Sequence, residues 1–337
     1  MWTTSISTHN RRSRIGSVIG RRATFWLELA ATAAIVLLPA LLSGTPYLMR
    51  LVLDVAVLSV LALSLTLIFG FTGQISLGQA AFYAIGAYTS AILQTKLGVP
   101  FLMAWIVAVV LTMLIAWLIS LPLLRIHGHF LALGTLALGL IVSTLLVHLV
   151  DLTGGTSGIL IPKATYIPVL KDVFPYVILA FFALAYWLVR NLTKRSLGRA
   201  LVALRDDPAG AAALGVPVMR YKTVVFAIGG GLAATAGILY GHHAQVITPE
   251  VFGFSASLEV LLVVVIGGMS NRFGAILGAL LVTLMPEWLK SFLSEGDNLA
   301  YGLLVLFVLL FLPGGIVGGL RSLWALLTRV LNRGATS

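Results

Sequence analysis

Few side chains in this sequence have the types and spacing that catalysis or metal binding requires. The chain has no cysteine, which excludes disulfides, thiolate nucleophiles and zinc–thiolate sites. Gly73 and Gly78 are spaced like the glycines that open a phosphate-binding loop, but a Gln-Ala pair follows where that loop needs lysine and serine or threonine. His242 and His243 are adjacent, and adjacent helical residues do not face one site. The sequence therefore predicts no catalytic residue, no metal site and no cofactor bound by this chain.

Polar residues of greater interest lie inside an otherwise apolar stretch, residues 69–88. Such side chains cannot face lipid without losing hydrogen bonds, so protein or water must satisfy them. Glycines beside them permit a broken or closely packed backbone, as at the centre of transporters. Two interpretations stay open, because the polar side chains either bridge helices or line a translocation pathway. The candidates for the pathway are Thr72, Gln74, Ser76, Gln79 and Tyr83.

The composition decides which class of protein must position these residues. Of 337 residues, 59% are hydrophobic and only 10% are charged, against about 25% charged in an ordinary soluble domain. So few charges cannot cover the surface of a soluble protein, and the apolar content excludes a disordered chain. The net charge of +11 arises from basic residues that stand between apolar runs. That arrangement suits orientation in a bilayer and argues against nucleic-acid binding.

The apolar runs predict an all-α, polytopic transmembrane helical bundle with about ten membrane elements. A run of roughly 20 residues is long enough to cross the hydrocarbon core as a helix. Two further stretches, 75–93 and 258–268, are shorter or richer in small and polar residues, and the pattern leaves open whether each is a continuous or a broken span. Eight runs have the full length, at 24–42, 48–69, 101–124, 130–150, 173–189, 224–240, 273–293 and 299–320.

The basic residues predict the orientation of this bundle. If all ten elements change side and both ends are cytoplasmic, the cytoplasmic loops hold every lysine and arginine except Arg50, Lys96, Lys163, Lys171 and Lys290. Cytoplasmic loops of membrane proteins carry such an excess. The predicted organisation is a basic segment at 1–23, a membrane domain at 24–320 and a cytoplasmic tail at 321–337. Within the domain, 151–172 is a periplasmic loop and 190–222 a cytoplasmic one, and the first span is expected to stay uncleaved.

Small residues four positions apart predict close packing between these helices. The clearest pairs are Ala80 with Ala84, Gly86 with Ser90, and Gly237 with Gly241. Whether such faces meet another helix of this chain or a partner subunit is not specified by the pattern.

The cytoplasmic loop contains the signals of one short helix. Asp207 is a good N-cap, Pro208 suits the first helical position and Gly215 fits the position after the last turn. These signals predict a helix over 208–214, which is too short to be stable unless it docks on something. Its alanines permit close approach, and charged neighbours can fix its orientation by hydrogen bonds. The helix is either an ordinary interfacial segment or a knob that fits a groove on a cytoplasmic partner. The residues concerned are Arg199, Arg205, Asp206, Asp207, Pro208, Ala211, Ala212 and Gly215.

This loop resembles the coupling-helix loop of bacterial ABC importer permeases, which has alanines followed by a glycine. Ala211, Ala212 and Gly215 match that signature, although relatives often carry a glutamate where this chain has Ala212. More specifically, the chain resembles the M-type (LivM-like) permeases of branched-chain amino acid importers. Leu312 departs from the arginine frequent in those relatives. The stretches that carry the resemblance are 69–88, 129–139, 152–159, 232–240, 248–255, 265–269 and 273–287.

The resemblance implies a permease of the bacterial inner membrane that pairs with an H-type permease. Two ATPase subunits would bind ATP and magnesium and dock on the cytoplasmic loop, and a periplasmic solute-binding protein would deliver the cargo. The cargo would be branched-chain or related small amino acids, translocated by alternating access, and the permease itself would not be an enzyme. The residues implied to contact the binding protein are Thr153, Gly154, Gly155, Thr156, Ser157, Pro249 and Glu250.

Three other functions are compatible with a polytopic membrane protein. A urea or amide importer permease has a similar sequence pattern, and the delivery protein rather than the pore selects most of the cargo. An ion-coupled secondary transporter would need a charged residue at the middle of the membrane, and no acidic residue is clearly placed there. A structural scaffold would leave the polar residues between Gln74 and Gln79 unexplained.

Overall fold

The computed structural model describes residues 44–126, 128–161, 170–194 and 196–292, together with 315 and 318. Its first helix, α1 (Pro46–Leu65), continues as a π-helix, Thr66–Gly70. The helices that follow are α2 (Gln79–Leu97), α3 (Phe101–Leu123), α4 (His129–His148), α5 (Val150–Thr153), α6 (Leu170–Lys194), α7 (Ser196–Asp206), α8 (Pro208–Ala213), α9 (Val218–Ala244), α10 (Phe254–Gly267) and α11 (Arg272–Phe292). The chain divides after Met49 into two compact units. The predicted spans at 24–42 and 299–320, Leu312 and both terminal segments lie outside the described residues.

Five helical stretches of the described chain are long and apolar enough to cross a membrane. They match the predicted spans at 48–69, 101–124, 130–150, 173–189 and 224–240. α10 and α11 pass the same test only as a pair, and their axes are bent by 119° where they meet. The chain is therefore a multi-pass helical membrane protein. The count of ten membrane elements and the cytoplasmic placement of both ends remain predictions. The five stretches are Pro46–Gly70, Phe101–Leu123, His129–His148, Val173–Lys194 and Val218–Ala244.

Of the two stretches whose continuity the sequence leaves open, 258–268 is covered to Gly267 by the unbroken α10, and 75–93 is irregular only at its beginning. Residues 73–78 are not helical, and α2 then runs without a break to Leu97. Gly73 has φ +70°, a left-handed conformation that costs glycine nothing. Gly98, with φ +64°, ends α2 in the same conformation. The polar segment is thus an irregular connection between a π-helix and a buried helix.

α2 and α9 form the centre of the bundle, and their small residues meet as the sequence predicts. A Cβ atom added to Gly237 would lie 2.0 Å from the carbonyl oxygen of Tyr83, and one added to Gly86 would lie 2.4 Å from the Cα of Ala234. Backbones can approach this closely only where side chains are absent. The predicted small-residue contacts at Gly86 and Gly237 are therefore confirmed, and they lie within this chain.

The outer helices have a different surface. α3 and α4 leave large apolar side chains exposed along their lengths, such as Leu102, Val110, Leu133 and Ile141. α1 and α9 instead bury most of their side chains inside the bundle. An apolar side chain is stable at the surface of a membrane protein because lipid tails or a partner's helices cover it.

A two-stranded ribbon, which the sequence analysis did not predict, joins two loops at one end of the bundle. The strands are β1 (Ile159–Leu160) and β2 (Val246–Ile247), and they pair in antiparallel register with Ile159 opposite Ile247. The Ile161 amide also donates to the carbonyl oxygen of Gln245 at 2.7 Å. The ribbon fastens the loop after α5 to the loop after α9.

Candidate functional site

α8 has the caps that the sequence predicts. The side-chain Oδ1 of Asp207 accepts hydrogen bonds from the amides of Ala209 (3.1 Å) and Gly210 (3.0 Å), and Pro208 occupies the first turn. Gly215 has φ +82°. The helix ends at Ala213, one residue before the predicted end, because the Leu214 backbone already departs from helical geometry. The sequence thus predicted the position and the caps of this helix correctly.

One face of α8 is free of contacts with the rest of the described chain. Ala211 is buried and seats the helix on the bundle. Pro208, Ala212 and Gly215 are exposed, and Leu214 has 85% of its surface exposed. A small, mostly apolar face of this kind fits a shallow groove on another protein. The acidic residues at its rim, Asp206 and Asp207, are also exposed.

Arg205 connects this loop to two membrane elements. Its guanidinium donates to the carbonyl oxygen of Gly70 (3.0 Å) and to the hydroxyl of Ser270 (2.5 Å). It also pairs with the carboxylate of Asp206 at 2.8 Å. Gly70 ends the π-helix, and Ser270 lies in the bend between α10 and α11. Arg205 therefore joins three segments that are far apart in sequence, whereas Arg199 is exposed and forms no such link within the described residues.

The irregular segment 73–78 is held by side chains from other helices. The Leu77 amide donates to the hydroxyl of Thr135 on α4 at 2.9 Å. The Ala80 amide, in the first turn of α2, donates to the hydroxyl of Ser257 on α10 at 3.2 Å. A buried backbone donor that lacks a helical partner needs such an acceptor. Hydroxyl side chains of α4 and α10 therefore fasten the backbone of this part of the chain to two other helices.

Most of the predicted pathway residues have partners within the bundle. The Thr72 hydroxyl donates to the carbonyl oxygen of Ile68 at 2.5 Å, and Ser76 accepts a bond from the Gly78 amide at 3.4 Å. Gln79 accepts a hydrogen bond from Ser64 at 3.2 Å. Of these three contacts, only the one between Gln79 and Ser64 joins two helices, α2 and α1, whereas those of Thr72 and Ser76 are local. Both interpretations of these residues therefore stay open.

Tyr83 belongs to an aromatic cluster between α2, α9 and the turn before α10. Its ring centroid lies 4.9 Å from that of Phe252 and 5.8 Å from that of Tyr240. The residue is buried. Its packing role is therefore evident, and a pathway role stays a prediction.

Gln74 differs from the other four. It is buried, and neither atom of its side-chain amide has a hydrogen-bond partner among the described residues. It lines a cavity of about 90 Å³ together with Lys222, near the beginning of α9. Lys222 was not among the predicted site residues. The signal that could have identified it is a lysine in the first turns of a membrane helix, where ionisable side chains are rare and often functional.

At the ribbon end, the predicted binding-protein contacts divide into buried and exposed residues. Thr153 is buried, and its hydroxyl lies within hydrogen-bond distance of the carbonyl oxygens of Leu146 (2.6 Å) and Leu149 (2.8 Å). Gly155 and Pro249 are also buried, and Gly154 is half-buried with φ +75°. These four residues shape the loops. The residues exposed to a partner are Thr156, Ser157 and Glu250.

α9 separates the two candidate surfaces. Its 27 residues begin directly after the α8 loop and end directly before β2. A helix of that length extends about 40 Å, which exceeds the thickness of the hydrocarbon core. The α8 face and the ribbon loops therefore lie at opposite ends of one long helix.

The two adjacent histidines at the end of α9 have separate partners. His242 Nε2 lies 2.9 Å from the side-chain amide of Gln94, and His243 Nε2 lies 3.1 Å from a carboxylate oxygen of Asp54. Among the described residues, no group of three His, Cys, Asp or Glu side chains is placed to hold a metal ion.

Comparisons with known proteins identify relatives over most of the chain. Residues 47–313 match the family described as branched-chain amino acid transport system, permease component. The permease protein LivM of the high-affinity branched-chain amino acid transport system of Escherichia coli K12 is 32% identical over 295 residues, which is 78% of this chain and 69% of the relative. The LivH permease of the Salmonella typhimurium system is 28% identical, covering 77% of this chain and 91% of the relative. The BraD permease of Pseudomonas aeruginosa is 29% identical, with 77% and 91% covered. No solved structure matches.

Proposed function

This chain belongs to the branched-chain amino acid transport permease family, and we propose that it forms half of the membrane pore of an ATP-driven importer. The cargo is a branched-chain or related small amino acid. The relatives reported above are permeases of branched-chain amino acid systems, which favours this cargo over urea or amides. The second half of the pore is an H-type permease, and the assembly lies in the bacterial inner membrane.

The observation that carries the proposal is the geometry of α8. A capped helix with an exposed apolar face is joined through Arg205 to the π-helix and to the bend between α10 and α11. A partner that grips α8 can therefore move membrane segments without any nucleotide site in this chain. We propose that two ATPase subunits grip α8 and its H-type counterpart. The partner must bind the inward-open and outward-open states with different affinity, because equal affinity shifts no equilibrium.

We expect the caps of α8 to be required for uptake. Replacing Asp207 with alanine removes the acceptor for two amides, a loss of about 1 kcal/mol for an N-cap. Replacing Gly215 with valine puts a β-branched residue at φ +82°, which is strongly disfavoured. Each change is expected to lower ATP-dependent leucine uptake about fivefold in proteoliposomes that contain the whole importer, because that free energy corresponds to about a fivefold population shift.

The matched controls are Asp207→Asn and Gly215→Asn. Asparagine is an N-cap as good as aspartate, and it tolerates the left-handed conformation better than other side chains. Both controls are expected to keep most of the uptake. Wild-type rates in both Asp207→Ala and Gly215→Val would exclude a coupling role for α8.

The opposite end of the bundle is proposed to receive the solute-binding protein. Glu250 is exposed beside the β1–β2 ribbon, as are Thr156 and Ser157. We propose that Glu250 faces a basic side chain of the binding protein. Reversing the charge with Glu250→Arg is then expected to raise the binding-protein concentration that gives half-maximal uptake about tenfold, since like charges in an interface are repulsive. The neutral variant Glu250→Gln is expected to raise this half-maximal concentration by a smaller factor. An unchanged half-maximal concentration in both variants would move the docking surface elsewhere.

A further inference from the structure

The cavity beside Gln74 combines polar groups that lack partners with aliphatic walls. Its polar lining residues are Gln74 and Lys222, and its aliphatic ones are Ile75, Leu124, Ile126 and Leu131. By comparison with an apolar cavity of about 150 Å³ that accepts benzene, a volume of about 90 Å³ has room for about four non-hydrogen atoms. That is a carboxylate group with one or two carbons attached.

The buried amide of Gln74 gives this cavity hydrogen-bonding groups that no other described residue uses. Gln74 is 2% exposed, and both its Nε2 and its Oε1 lack a hydrogen-bond partner within the described chain. Leaving a buried amide unpaired is costly, and native proteins rarely do so. A ligand that accepts from Nε2 would remove part of this cost.

Lys222 gives the cavity its charge. No acidic side chain of the described residues forms an ion pair with Lys222. A cavity lined by both an ammonium group and an unpaired amide donor favours an anion with two acceptor oxygens. The aliphatic walls disfavour a strongly hydrated inorganic anion and suit a carboxylate attached to a hydrocarbon chain.

The cavity lies at the end of the bundle where α8 is found. Gly73 lines the cavity, and a Cβ atom added to Gly73 would lie 3.0 Å from the Cγ of Arg205. Lys222 lies shortly after the start of α9, which follows α8 along the chain. In the importer proposed above, this is the cytoplasmic side, where cargo leaves.

We propose that this cavity is an exit subsite that binds the carboxylate of an aliphatic amino acid, with Lys222 Nζ and Gln74 Nε2 as donors. The inference rests on the proposed function for the identity of the cargo. The aliphatic walls contact the carbons next to the carboxylate. A substrate leaving the pore is thereby held by its charged end before it enters the cytoplasm.

The test is equilibrium binding of tritiated leucine to the complete importer in phosphatidylcholine nanodiscs, without ATP and without binding protein. Isocaproate, which keeps the carboxylate and lacks the amine, is expected to displace leucine, and isoamylamine, which lacks the carboxylate, is not. Lys222→Gln is expected to weaken leucine binding about tenfold or more, because it removes a charge-assisted hydrogen bond. Lys222→Arg keeps the charge and is expected to stay within about threefold of wild type.

Two further variants separate a local effect from a general one. Gln74→Leu is expected to weaken binding as well, because it removes the second donor. Arg220→Gln changes an exposed cation two residues from Lys222 and is expected to leave binding unchanged. Thermal unfolding of each importer variant identifies any that fails to fold. If Lys222→Gln does not fold, the contrast between Gln74→Leu, which is expected to weaken binding, and Arg220→Gln, which is not, still tests the proposal.

Three results would overturn the proposal. They are leucine binding that Lys222→Gln and Gln74→Leu leave unchanged, displacement by isoamylamine as strong as by isocaproate, and displacement of leucine by phosphatidylglycerol added to the nanodiscs. The last would assign the cavity to a lipid phosphate. ATP-dependent uptake by the same wild-type preparation tests the proposed function separately. Lost uptake with carboxylate-dependent binding intact would remove only the transport proposal, and normal uptake without such binding would remove only the subsite.

Discussion

Replacing Arg205 with alanine is expected to lower ATP-dependent uptake about tenfold or more while the ATPase subunits still copurify with the permease. The guanidinium donates to Gly70 and Ser270, so its loss separates the α8 loop from the π-helix and from the bend before α11. Hydrogen bonds from a charged donor contribute about 1.5–3 kcal/mol, and at least two are lost here. The ATPases would still hydrolyse ATP, but their motion would no longer reach the membrane segments.

The control for this prediction is Arg220→Ala, a second exposed arginine near the same loop. It is expected to change uptake by less than about twofold. Ser270→Ala removes only one acceptor and is expected to give an intermediate loss. The measurement is the ratio of leucine transported to ATP hydrolysed. If Arg205→Ala lowered hydrolysis and uptake in the same proportion, Arg205 would act in ATPase docking and not in transmission.

Replacing Gly237 with alanine is expected to prevent α2 and α9 from packing. The added methyl would lie 2.0 Å from the carbonyl oxygen of Tyr83, a backbone atom that cannot rotate away. Overpacking in a tight core costs about 3 kcal/mol, and here the two central helices of the bundle must separate. The expected result is a large drop in the yield of monodisperse protein and in its unfolding temperature in detergent.

Gly139→Ala is the matched control, because it makes the same chemical change in another membrane helix. The nearest atom to its added Cβ is the carbonyl oxygen of Leu77 at 3.9 Å, an ordinary contact. Alanine is also a better helix former than glycine by about 1 kcal/mol. This variant is expected to be as stable as wild type or more so. Equal stability of the Gly139 and Gly237 variants would show that the central helices tolerate separation.

Local signals in the sequence were enough to locate α8. Its caps, Asp207 and Gly215, act on amides and carbonyls within a few residues, so the prediction erred by a single residue at the C-terminus. The continuity of 75–93 could not be predicted in the same way, because its glycines and polar side chains are compatible with both a broken and an unbroken helix. The high hydrophobic fraction and the low charged fraction of the sequence were enough to predict a membrane protein.

Long-range contacts were beyond such signals. The partners of Arg205 lie 135 and 65 residues away, and nothing near Arg205 in sequence specifies them. The division of the ribbon loops into buried Thr153, Gly155 and Pro249 and exposed Glu250 likewise depends on tertiary packing. Lys222 was not predicted as a site residue, because only the folded chain brings it to the same cavity as Gln74.

The length and position of α9 give the importer a reciprocal connection between its two faces. A single rod about 40 Å long begins at the α8 loop and ends at the ribbon. By thermodynamic linkage, two ligands that bias the same two-state element change one another's affinity by the same factor. In the proposed importer, a substrate-loaded binding protein that docks on the periplasmic side would thereby increase the affinity of the permease for the ATPase subunits on the cytoplasmic side. The ATPase subunits would in turn strengthen attachment of the binding protein by the same factor.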